Sequence, residues 1–183
     1  MRIAVDARPA AFSYRTGVGQ YTRQLLRLLP GLDPDSRYIA WYLNARGLLG
    51  GPRRTFTDIT APNFRERWTP VPARWFRPLE QRFDFPRVEW LVGFDVLFAP
   101  NFVPPPTRTK RLVITVHDVA FRMFPETAPH STLRWLTRLD RALRQAARII
   151  VVSEQTKRDL LEHYRVSEHR VVVVPNGVDA QAF

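Results

Sequence analysis

Short apolar runs alternate with longer stretches of helical period along this chain. Ile3-Ala4-Val5 lies in a first strand over residues 2–5. A helix follows over 19–29, with Leu25, Leu26, Leu28 and Leu29 turned inward and Pro30-Gly31 as its stop. Residues 38–43 read as a second strand, and 96–99 and 112–116 as two more, separated by the loop Pro104-Pro105-Pro106. A helix over 131–147 carries Leu133, Leu136, Leu139 and Leu143 on one stripe. A strand over 149–152 runs into Ser153, which suits the N-cap of a helix reaching Tyr164. The last strand, 171–174, is all valine and ends at Pro175.

The runs Ile149-Ile150-Val151-Val152 and 171–174 do not alternate apolar with polar, which suits strands buried on both faces beneath helices. Strand and helix in turn predict an α/β fold: a Rossmann-like open, mostly parallel sheet with helices on both faces. Ligands of such sheets bind outside the carboxyl ends of the strands, so the segments 6–19, 100–106, 117–126 and Ser153 draw attention. Residues 55–90 break the pattern. There Arg65, Arg67, Arg74, Arg77, Arg82 and Arg87 interleave with Phe64, Trp68, Trp75, Phe76, Phe83, Phe85 and Trp90. Pro70, Pro72, Pro78 and Pro86 limit any helix here to short pieces. This interleaving suits stacking on single-stranded nucleic acid, a membrane interface, or aromatics packed on the sheet under solvated arginines.

With 183 residues the chain is sized for one domain, expected over 1–175, with 176–183 as a stub. The absence of cysteine excludes disulfides and thiolate metal sites. His117, His130, His163 and His169 have no metal-ligand spacing, so no metal is expected. The first residues enter a strand directly and no apolar run is long enough to span a bilayer, which predicts a cytoplasmic protein. The net charge is +11, nearly all from arginine, since Lys110 and Lys157 are the only lysines. Such a charge attracts nucleic acid, anionic lipid or a phosphorylated substrate.

Gly17-Val18-Gly19 stands between the first strand and its helix, where helix N–H groups favour an anion. It lacks the Lys-Ser/Thr of a P-loop, and Thr22 stands where the dinucleotide fingerprint has its third glycine. A phosphate or diphosphate site and a plain tight turn both fit. Arg8 and Arg15 flank this turn and could meet phosphate oxygens in bidentate fashion. His117-Asp118 ends the strand 112–116, where the imidazole could orient a hydroxyl, move a proton, or merely close the strand end. No Gly-x-Ser-x-Gly elbow is present, and nothing pairs Glu126 and Glu154, both placed in post-strand loops, as an acid/base couple. His130, His163 and His169 read as surface or helix-end residues.

Several pieces in order carry a resemblance. Ile3-Ala4-Val5-Asp6-Ala7-Arg8 precedes Gly17-Val18-Gly19-Gln20-Tyr21-Thr22; then come Val116-His117-Asp118 and Phe124-Pro125-Glu126. After them stand Ile150-Val151-Val152-Ser153-Glu154, Lys157-Arg158-Asp159 and Val173-Val174-Pro175-Asn176-Gly177-Val178-Asp179. In this order and spacing the chain resembles the N-terminal, acceptor-side half of a GT-B glycosyltransferase of family four, of mannosyltransferase-like type. The likeness covers all but the Arg/aromatic middle.

The resemblance implies a retaining, metal-independent hexosyltransferase of two Rossmann-like domains. Such an enzyme moves mannose or glucose from a nucleotide sugar, of GDP-mannose or UDP-/ADP-glucose type, to a glycan or lipid-linked acceptor. It implies that Gly17, Val18, Gly19 and Arg15 border the donor phosphates. His117 would lie by the transferred sugar with Asp118 supporting its loop, and Asn101, Phe121 and Glu126 on the acceptor side. No cofactor is implied. The nucleotide pocket of that family lies in a C-terminal domain, which is expected as a partner beyond 176–179, the segment that resembles the interdomain linker. This chain alone is then expected to be inactive. An anionic membrane surface on the inner face of the plasma membrane is a further expected partner, and nucleic acid is not. The alternative is a non-catalytic basic α/β module that binds nucleic acid or a partner chain.

Overall fold

A computed structural model describes residues 1–11, 16–127 and 136–178. Arg15, His130, Asp179, the first five residues of the predicted helix 131–147 and the last five of the predicted stub lie outside the described residues. The chain divides into two compact units, residues Met1–Pro100 with Pro104–Leu112, and residues Asn101–Val103 with Val113–Phe183.

The first unit holds β1 (Arg2–Asp6), α1 (Gly17–Leu32), β2 (Arg37–Leu43), β3 (Phe64–Thr69), α2 (Ala73–Phe83) and β4 (Val96–Ala99). Its strands are parallel in the order β3-β2-β1-β4, with Val5 paired to Ala40 on one side and Phe98 on the other. From β1 the chain moves one way to β2; from β3 it returns to the far side of β1. Right-handed crossovers of opposite direction put α1 and α2 on opposite faces. The side chains agree. Trp41 packs on Phe76 of α2, while its neighbour Tyr42, pointing the other way, meets Phe56 edge-on at 5.5 Å between ring centroids. Phe56 in turn lies under Arg23 of α1.

Three expectations change here. The first helix begins at Gly17 and runs to Leu32, because Thr16 caps it by accepting the Gly19 N–H at 3.0 Å. Pro30-Gly31 does not stop it. Asn63 Nδ2 donates to the carbonyls of Pro30, Asp33 and Ser36 and so satisfies the far end. Its inward stripe is Gly19, Thr22, Leu26 and Pro30, and Leu28 is exposed. Residues 64–69, not expected as a strand, form β3, with Phe64 and Glu66 inward and Arg65 and Arg67 outward. The inward carboxylate is stable because Tyr42 Oη donates to it at 2.6 Å, the Thr55 N–H at 2.9 Å and Arg54 Nε at 3.1 Å. Residues 73–83 make one helix through Pro78, whose exposed ring lies off the packed face. Asp84 closes that helix in the left-handed region at φ 52°.

The second unit holds most of β5 (Leu112–Val116), then α3 (Ala120–Met123), α4 (Leu136–Gln145), β6 (Arg148–Val151), α5 (Glu154–His163) and β7 (Val171–Val173). β5, β6 and β7 are parallel, with Ile114 opposite Ile149 and Ile149 opposite Val171. Leu139, Ala142 and Leu143 bury one stripe of α4. Arg170 Nη1 donates to the carbonyls of Leu143 and Ala146 and closes its C-terminus. β6 begins and ends one residue earlier than predicted, and Glu154 belongs to α5 rather than to a loop. The final strand is buried on one face only. As the last strand of its sheet it leaves Val172 and Val174 exposed. An open, parallel α/β arrangement therefore holds in each unit.

Candidate functional site

In the first unit the strand order reverses between β1 and β4, and the carboxyl ends of these two strands lie side by side. Such a reversal opens a crevice at the strand ends where ligands of this fold class bind. β1 ends there on Asp6, buried to 2% exposure. Arg8 donates to both oxygens of Asp6, from Nε at 2.7 Å and Nη2 at 2.8 Å, and its Nη1 donates to Glu80 of α2 at 2.9 Å. Its guanidinium also lies over the Trp41 ring. Burial works against the Arg8 charge, but Asp6 and Glu80 outweigh it and raise its pKa above the ordinary arginine value. Arg8 is thus committed to two carboxylates and does not stand ready for phosphate oxygens; this corrects the expectation for it. Arg15 lies outside the described residues.

The glycine turn is the first turn of α1 itself. Gly19 is packed: a Cβ there would stand 2.7 Å from the Pro9 carbonyl oxygen and 3.0 Å from Thr16 Oγ1. Gly17 is exposed, with nothing within 4 Å of the same position. The Thr16 cap takes the Gly19 N–H. The N–H groups of Gly17 and Val18, in the first helical turn, have no intrahelical acceptor. Thr22 Oγ1 donates to the Val18 carbonyl at 2.7 Å and firms this turn from behind. A helix N-terminus with two N–H groups that find no acceptor among the described residues can hold an anionic oxygen.

The second unit carries the other predicted residues. His117 follows β5 and is half-buried; its carbonyl accepts from Thr156 Oγ1 of α5 at 3.3 Å. Ser153 caps α5 by accepting the Thr156 N–H at 3.0 Å. One cap therefore fixes both the start of α5 and, through Thr156, the backbone at His117. Thr156 was missed in the sequence, though a Ser-x-x-Thr spacing directly after a strand was the available signal. Asp118 is exposed and its Oδ1 accepts the Ala120 N–H at 3.0 Å, a local turn that leads into α3. Phe121 is buried in α3, its ring 5.3 Å from that of Phe102. Asn101 Oδ1 accepts the Phe102 N–H at 2.7 Å, so Asn101, Phe102 and Phe121 form one cluster. Glu126 is exposed in the short turn Pro125–Thr127 after α3. Gly17, Val18 and Gly19 thus stand in one unit, and Asn101, His117, Asp118, Phe121 and Glu126 in the other.

Among the described residues, no group of three or more His, Asp or Glu is placed to hold a metal ion. No helix among them is long and apolar enough to cross a membrane. The model of the family described as Glycosyltransferase Family 4 matches residues 15–182. A comparison with curated proteins returns no match.

Proposed function

The chain belongs to glycosyltransferase family 4, and from that premise we propose that it forms the acceptor-side domain of a retaining, metal-independent hexosyltransferase. The enzyme moves mannose or glucose from a nucleotide sugar to a glycan or lipid-linked acceptor. A C-terminal domain of the same enzyme holds the nucleotide. The observation that carries the reading is the start of α1, where Gly17 lies open to solvent while Thr16 and Gly19 hold the turn shut from within. A donor diphosphate approaching the Gly17 and Val18 N–H groups meets two donors that need no rearrangement as negative charge builds on the leaving group. The bond from the sugar C1 to the diphosphate breaks, its electron pair leaving with the diphosphate oxygen, and the acceptor hydroxyl bonds to C1 on the same face and gives its proton to that departing oxygen. His117 positions the sugar and that hydroxyl by hydrogen bonding. Asp118, whose carboxylate accepts the Ala120 N–H, and Thr156, which donates to the His117 carbonyl, hold the backbone that carries the imidazole.

In the complete enzyme, His117→Ala lowers turnover by about 10²-fold or more, the loss typical of a positioned acid–base or hydrogen-bonding group. Wild-type turnover in that variant removes His117 from the site. Calorimetry of the present chain with GDP-mannose or UDP-glucose gives no micromolar binding. Micromolar binding would overturn the assignment of the nucleotide pocket to the other domain.

A further inference from the structure

We propose that the outer face of α2 and the turn after it dock on an anionic lipid bilayer. Trp75, Leu79 and Phe83 stand at i, i+4 and i+8 and form one stripe along α2. They are exposed to 61%, 40% and 64%, although large apolar side chains of a helix usually face the core. The core side of the helix is held separately by Phe76 and Glu80. Phe85 and Trp90 extend the apolar patch beyond α2, exposed to 45% and 61%, with ring centroids 5.7 Å apart.

Arginines accompany each part of this surface. Arg74 lies over Trp75, Arg82 over Phe83 and Arg87 over Trp90, at 5.3 to 5.8 Å from the ring centroids. Arg77 is exposed on the same helix. Two glutamates of the stretch are engaged elsewhere as well: Glu80 accepts from Arg8, and Glu89 accepts from Thr107 and from the amides of Arg108 and Thr109. The result is an apolar stripe beside cationic heads on long stems, in a chain of net charge +11. A helix so made lies in the plane of a bilayer surface, with rings among the acyl chains and guanidinium groups at the phosphates.

The same chemistry disfavours two other occupants. Single-stranded nucleic acid is held by rings that stack successive bases along a charged groove, whereas here the exposed apolar side chains follow one face of a helix and Leu79 offers no face to stack on. A second copy meeting this surface about a two-fold axis would set arginine against arginine. Docking here does not require transfer activity, so vesicle binding and sugar transfer fail independently of one another.

The test is flotation of the chain with vesicles of phosphatidylcholine alone and of phosphatidylcholine with phosphatidylglycerol, at low and high salt. The chain floats with the anionic vesicles only, and less so at high salt. Trp75→Ser with Phe83→Ser lowers the bound fraction at least tenfold. Arg74→Ser with Arg82→Ser lowers it about 25-fold, from about fivefold for each cation lost. Arg74→Lys with Arg82→Lys keeps binding, and thermal melting of all three variants stays at the wild-type value, because these side chains are exposed. Equal flotation with both vesicle types, none with either, or unchanged binding in the two serine pairs overturns the proposal. So does capture of a single-stranded oligonucleotide in place of vesicles, or a dimer that the Trp75/Phe83 pair of substitutions dissolves.

Discussion

Gly17 and Gly19 are two residues apart in one helical turn, yet the structure assigns them opposite responses to a methyl group. At Gly19 an alanine Cβ would stand 2.7 Å from the Pro9 carbonyl oxygen, where ordinary contact begins at 3.4 Å. The obstacle is backbone, held by the short turn Arg8–Ala10, and Gly19 is itself buried. Overpacking of this kind costs about 1–3 kcal/mol. The better helix propensity of alanine returns up to about 1 kcal/mol. Gly19→Ala therefore destabilises by about 1–2 kcal/mol, which lowers the melting temperature by about 2–8 °C for a protein of this size. At Gly17 a Cβ meets nothing within 4 Å. Gly17→Ala then stabilises by about 0.4–1 kcal/mol by restricting the unfolded chain. Thermal and urea unfolding of the two variants beside wild type give the answer. Equal melting of Gly19→Ala and wild type, or a loss at Gly17 as large as at Gly19, refutes the steric account. It also refutes the inference that the openness at Gly17 serves a ligand rather than packing.

Three further substitutions probe hydrogen-bonded carboxylates of the first unit. Asp6→Asn breaks the bidentate pair with Arg8 in a buried setting and costs about 3–5 kcal/mol, whereas Glu80→Gln keeps an acceptor for Arg8 and costs about 1–2 kcal/mol. Urea unfolding in which Asp6→Asn stays within about 0.5 kcal/mol of wild type contradicts the pairing. Burial pushes the Glu89 carboxyl up, but bonds from Thr107 and the amides of Arg108 and Thr109 outweigh it and hold it below the ordinary value of 4.5. A carboxyl lowered on folding contributes stability that is complete above its unfolded pKa and is lost as pH falls through the folded one. Wild type therefore loses its advantage over Glu89→Gln as pH falls below the ordinary glutamate range and through the lowered folded value, read as urea midpoints. A difference between the two that does not change over that range counts against the assignment.

The parts of the fold that were legible are those written locally. β4 and β5 occupy the predicted residues because each is an apolar run bounded by turn residues, and Ser153 caps α5 because its partner is three residues away. What could not be read depends on distant partners. β3 was hidden by an inward glutamate, and the donors that make Glu66 tolerable come from Tyr42 on the neighbouring strand and from Arg54 and Thr55. The end of α1 was read at a Pro-Gly pair, but Asn63, far along the chain, supplies the missing donors. Arg8 looked available until Glu80 of α2 arrived beside it. The two glycines of the turn were equivalent in the sequence, and only the Pro9 carbonyl separates them. At the candidate site, the positions of His117 and Asp118 at a strand end were legible, while the Thr156 bond that steadies His117 was not.

The central claim is that this domain serves sugar transfer with the acceptor on its side of the reaction. The complete enzyme, supplied with a panel of nucleotide sugars and sugar or lipid-linked acceptors, answers it most directly, with the glycosylated product identified and its anomeric configuration read. The account predicts transfer of mannose or glucose with retention and no added metal, falling by about 10²-fold or more in His117→Ala. Absence of transfer from every donor, product of inverted configuration, or an unchanged rate in His117→Ala contradicts it.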